Sequence, residues 1–198
     1  MMVFWQEKLA FLATPKTAST AIEAALGPLA AVVIQRPREL KHTDAARFAQ
    51  HWQPYLQQSS GAEFEVAALM REPRAWLGSW YRDGQREDIG PERSTRGLSF
   101  DGFVRAYCQP GPRPGFADVG AQSDFLGRIG QGGVHHLFRY EDLSGFVHFL
   151  EDRLGCEIHL PHLNVSPKGD ATLSPEAETL LHETCAADFA LYESLRRG

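Results

Sequence analysis

A chain of 198 residues, 43% hydrophobic and 23% charged, fits one globular domain with a sizeable core and excludes a disordered or low-complexity polypeptide. Its formal net charge of −5 argues against general nucleic-acid binding, which needs an excess of Lys and Arg against the phosphate backbone. A small anionic ligand stays open, because a few local cations serve it whatever the net charge.

In chain order, residues 8–13 read as a short buried strand that stops at Pro15, and Ser19 or Thr20 opens a helix broken at Gly27-Pro28. The N-terminal MMVFWQEKLAFLA carries an apolar run too short and interrupted to span a membrane, and it lacks the basic start, clean apolar stretch and cleavage site of a signal peptide. Val32-Val33-Ile34 is a candidate second strand, and residues 44–56 carry helical spacing through Ala45, Phe48, Ala49, Trp52 and Leu56. The near-continuous apolar run at 64–70 predicts a central parallel strand, followed by a helix bearing Trp76, Leu77, Trp80 and Tyr81. Residues 83–120 are rich in Gly, Pro and balanced charge, with one amphipathic piece at 100–107. We read them as an irregular acceptor-binding insertion. A strand at 134–140, a helix at 143–154 ended by Gly155, and a last helix from Ser174-Pro175-Glu176 to about Leu195 complete the order. Alternating strands and helices predict a single α/β domain over 1–198, with a central parallel sheet flanked by helices.

The chemistry concentrates at 14–20. A strand, a tight turn and a helix N-terminus form an anion site, because free backbone N–H groups and the helix dipole both favour negative charge. This turn adds Lys16 and the hydroxyls of Thr17, Ser19 and Thr20, while the small Ala18 permits close approach. The two glycines of a Walker A loop are missing, which disfavours an ordinary P-loop kinase or nucleotidase. On its own the segment is equally a polar helix cap with a solvated lysine.

Pro15-Lys16-Thr17-Ala18-Ser19-Thr20 resembles the 5′-phosphosulfate loop, P-K-[ST]-G-[ST]-[ST], of sulfotransferases that use 3′-phosphoadenosine 5′-phosphosulfate (PAPS), with Ala18 replacing the usual glycine. Arg71 at a strand end and Ser79 eight residues on, in the next helix, match that family's 3′-phosphate site. A guanidinium binds phosphate in fork geometry, which suits the role. Tyr140-Glu141-Asp142 is similar to the family's Y-E-D segment, and Asn164 to Gly169 resembles the late loop in which Lys168 and Gly169 would contact the 3′-phosphate.

The resemblance implies a P-loop-like sulfotransferase fold and transfer of a sulfuryl group to an acceptor hydroxyl or amine, releasing 3′,5′-ADP without a metal. Lys16 would stabilise the leaving oxygen, with backbone N–H groups of 17–20 sharing the charge. His42 is the first candidate for general base, ahead of Glu23 and Asp124. A non-catalytic nucleotide-binding relative is the remaining alternative. Among the other histidines, His135 and His136 point to opposite strand faces, and His159 and His162 near Cys156 match no zinc spacing. Three cysteines without a C-x-x-C pair suit a reducing compartment. With no anchor expected, a cytoplasmic enzyme of bacterial type follows, with no nucleic-acid or membrane partner and an acceptor that the sequence does not identify.

Overall fold

A computed structural model describes residues 1–127, 133–160 and 172–195. Five strands, Met2–Phe4 (β1), Leu9–Leu12 (β2), Val32–Val33 (β3), Glu65–Met70 (β4) and His136–Arg139 (β5), form one sheet in the order β3-β1-β2-β4-β5. β2, β4 and β5 are parallel, whereas β1 runs antiparallel to both β2 and β3. The sheet is therefore mixed rather than wholly parallel. The reason lies in residues 5–8: four residues, ending in Lys8 at φ 52°, close a hairpin and are too few for a parallel crossover. The first strand of that hairpin is the MMVFW run, which the sequence pattern did not mark as a strand.

The helices are Ser19–Leu26 (α1), Arg38–Lys41 (α2), Ala45–Arg47 (α3), Gln53–Ser60 (α4) and Pro73–Asp83 (α5) in the first half. Phe100–Cys108 (α6), Gln122–Leu126 (α7), Leu143–Leu154 (α8), Pro175–Thr184 (α9) and Ala186–Ser194 (α10) follow. A π-helical stretch, Phe48–Trp52, joins α3 to α4. The expected single terminal helix is two, parted at Cys185.

Strand alternation divides the core in two. Val3, Ala10, Leu12, Val66, Ala68 and Met70 face Ala45, Phe48, Leu56 and Leu126, while Met2, Phe4, Leu9, Phe11, Ala67 and Leu69 face Ile22, Leu26, Phe146 and Leu150. Helices thus cover both faces, and burying each large apolar side chain contributes about 1.5–3 kcal/mol. A third cluster joins α5, α6 and α9 through Trp76, Tyr81, Phe103, Tyr107, Ala177 and Leu181. Residues 83–120 are accordingly more ordered than their composition implied. Thr95 Oγ1 donates to Tyr81 O at 2.6 Å, Tyr81 OH to Leu98 O at 2.7 Å, and Tyr107 OH to Gly120 O at 2.8 Å. Among the described residues, no helix is long and apolar enough to cross a membrane.

Candidate anion site at the carboxyl ends of the central strands

β2 and β4 are parallel neighbours, so the loop after β2 and the residue after β4 lie side by side at one edge of the sheet. The 14–20 loop is kinked twice, at Lys16 (φ 66°) and at Ala18 (φ 57°, ψ 22°). Both residues occupy the left-handed region, where a Cβ costs about 1–2 kcal/mol. Three loop carbonyls are taken from outside or across the turn. Thr17 Oγ1 donates to Thr14 O and Trp76 Nε1 to Pro15 O, each at 2.9 Å, and Arg71 Nη1 donates to Lys16 O at 3.3 Å. The amides are left available: α1 has no side-chain cap, and the N–H groups of residues 16–20 have no partner among the described residues. Thr17 is fully buried, and its hydroxyl closes the loop onto Thr14 O. Ser19 is nearly buried, whereas Thr20 is exposed.

Lys16 extends toward α5, where its ammonium lies 2.7 Å from Asp83 Oδ2 and 4.7 Å from the Trp80 ring centre. Burial lowers its pKa, with the Asp83 carboxylate opposing the shift. Arg71 is held by its backbone: its N–H donates to Gln122 Oε1 at 2.9 Å and its carbonyl accepts from Gln122 Nε2 at 2.8 Å. Gln122, fully buried, thus replaces a missing strand neighbour. Asp188 of α10 fixes it in turn, accepting from the N–H groups of Gln122 (3.1 Å) and Ser123 (2.8 Å).

The Arg71 guanidinium lies 4.7 Å from the Tyr140 ring centre, and its Nε is buried without a partner. The Nε of Arg82 is likewise buried and unpartnered. Burial, and then the nearby positive charge of Arg71, pull the Arg82 pKa down. Two guanidinium groups that repel each other and lack full hydrogen bonding make a site that an oxyanion satisfies. Ser79, 4% exposed, sits one helical turn before Arg82.

His42 follows α2 directly, and its Nδ1 lies 2.6 Å from Ala13 O. A carbonyl only accepts, so Nδ1 carries the proton and Nε2 keeps a free lone pair. Burial, resisted by this bond, lowers the His42 pKa, and Lys41 and Arg38 add to the effect. The other two candidate bases differ sharply. Glu23 is 3% exposed and paired with Lys41 at 2.9 Å, so it is committed to the fold. Asp124 lines a cavity of about 220 Å³ together with Thr14, Pro15, Asp44, Trp76 and Gln122.

Lys16, Thr17, Ala18, Ser19, Thr20 and Arg71 are therefore gathered at one edge, with His42 bonded to the end of β2 and Ser79 on α5. Lys168, Gly169 and His162 lie outside the described residues. Among the described residues, no group of three or more His, Cys, Asp or Glu side chains is placed to hold a metal ion. Sequence reasoning missed Arg82 and Asp83, treated as part of a neutral insertion, and the Gln122–Asp188 clamp. Helical spacing carries the first signal, since Ser79, Arg82 and Asp83 stand at i, i+3 and i+4 on α5. Nothing local points to Asp188, which is 66 residues from Gln122. No family model, curated protein or solved structure matches this chain.

Proposed function

We propose that the protein is a PAPS-dependent sulfotransferase with the P-loop-like architecture of that family, moving a sulfuryl group to an acceptor hydroxyl or amine and releasing 3′,5′-ADP. One observation carries the reading: a loop of unpartnered amides with Lys16 lies beside two neighbouring arginines, each with a buried, unsatisfied Nε. The two halves suit a nucleotide phosphorylated at both ends, the loop for a 5′-phosphosulfate and Arg71, Arg82 and Ser79 for a 3′-phosphate. Lys168 and Gly169 would complete the second half.

In this scheme Lys16 leaves Asp83 to neutralise charge growing on the leaving oxygen, and the amides of 17–20 share that charge. His42 accepts the acceptor's proton at Nε2, since Nδ1 is already committed to Ala13 O. Free Cys108, Cys156 and Cys185 fit a reducing, cytoplasmic setting.

A thermal-shift panel tests the donor. 3′,5′-ADP should raise the melting temperature, whereas stabilisation by ATP-Mg²⁺ alone would point to a kinase or nucleotidase. Lys16→Ala should cut transfer of labelled sulfate by at least about 10²-fold, and near-normal turnover would remove its role.

A further inference from the structure

We propose that Arg38 and Arg93, with the Trp80 ring close to both Arg38 and Lys16, form a second anion subsite that takes an acceptor carrying its own negative charge. This subsite rests on the sulfotransferase reading and names the substrate class of the same site. Arg38 Cζ lies 5.2 Å from the Trp80 ring centre, and Lys16 Nζ lies 4.7 Å from it, so one indole joins the two cations. Arg38 is also four residues before His42, placing it one turn from the proposed base. Arg93 comes from the 83–120 segment, in the short turn Pro91–Arg93.

The local charge is unbalanced. Asp83 is occupied by Lys16 at 2.7 Å, with Arg86 a further 3.8 Å neighbour, and Arg86 itself pairs with Asp88 at 2.8 Å. The side chains of Arg38 and Arg93, both exposed, make no hydrogen bond or ion pair with any described residue. Partial desolvation and then the charge of Arg93 lower the Arg38 pKa, with the Asp83 and Glu39 carboxylates opposing the shift. In a chain of net charge −5, this concentration of cations around the reacting lysine is a local feature. The nucleotide accounts for Lys16, Arg71 and Arg82 but leaves Arg38 and Arg93 unused. A carboxylate, sulfate or phosphate on the acceptor uses them, and Trp80 supplies a flat apolar surface beside it.

Sucrose octasulfate serves as a polyanionic saccharide probe, titrated calorimetrically into protein already saturated with 3′,5′-ADP, with neutral sucrose as the uncharged control. The octasulfate should bind and sucrose should not. The Arg38→Gln/Arg93→Gln double variant should lose about tenfold or more in octasulfate affinity while holding 3′,5′-ADP affinity within about twofold. Arg47→Gln, an exposed cation elsewhere, should change neither. No octasulfate binding to the wild type, unchanged binding in the double variant, or an equal loss in Arg47→Gln overturns the subsite. Failure of 3′,5′-ADP to bind in the first titration instead overturns the nucleotide reading beneath it.

Discussion

At Ala18 a single methyl group sets the terms of the site. The residue holds φ 57° at the start of α1, a conformation open to alanine at about 1 kcal/mol but forbidding to β-branched side chains. Glycine would remove that strain while adding backbone entropy to the unfolded chain. Ala18→Gly should therefore leave stability within about 1 kcal/mol of wild type, whereas Ala18→Val should cost about 2 kcal/mol or more in urea denaturation and weaken 3′,5′-ADP binding. Where the resembled motif carries glycine, Ala18 adopts the left-handed geometry that glycine takes without strain. His42 makes a pH prediction. Its folded pKa lies below the ordinary 6.5, because burial penalises the imidazolium. The folded protein thus binds fewer protons there than the unfolded chain. The associated stability is complete above pH 6.5 and is lost as pH falls through the depressed folded value. The acid limb of the rate profile should lie below pH 6.5, and His42→Ala should abolish it; an unmoved limb in that variant assigns the base elsewhere.

Among the elements, α5 and α7 organise what the strands deliver. α5 begins with Glu72 accepting from the N–H groups of Arg74 (3.1 Å) and Ala75 (2.6 Å), and its Trp76 and Asp83 reach the loop at Pro15 O and Lys16. α7 contributes Gln122, whose amide satisfies both backbone groups of Arg71. Gln122→Leu would leave those groups without their partners, while Asp188 keeps the backbone N–H groups of residues 122 and 123. It should cost about 2–3 kcal/mol in denaturant unfolding and loosen 3′,5′-ADP binding without touching the ligand. Loss of stability with nucleotide affinity intact would show that Arg71 is held by other means. The strands at 8–13, 64–70 and 134–140 were readable because apolar runs of that length between turn residues leave few alternatives. β1 was hidden because three apolar residues beside a charged turn carry no period. The clamp was hidden because its partners meet only after α7 and α10 pack together.

For the whole molecule, fold class and loop position were legible because a buried parallel strand followed by a polar turn and a helix has few other solutions. The mixed sheet was not, since three apolar residues before a four-residue turn do not announce a hairpin, nor was the ordered 83–120 segment, which depends on the distant pairing of α6 with α9. The same segment brings Arg86 to the Asp83 carboxylate that pairs with the loop lysine, so this side of the sheet collects charge that the overall composition conceals. We propose that this edge recognises a nucleotide by both of its phosphate ends. Comparing calorimetric affinities for 3′,5′-ADP and 5′-AMP tests it most directly, because the two differ only in the group assigned to Arg71, Arg82 and Ser79. A desolvated phosphate–arginine contact is worth about 2–4 kcal/mol, so 3′,5′-ADP should bind at least about 30-fold more tightly. In Arg71→Ala that preference should fall to within a few-fold. Equal affinities for the two nucleotides in the wild-type protein would contradict the account.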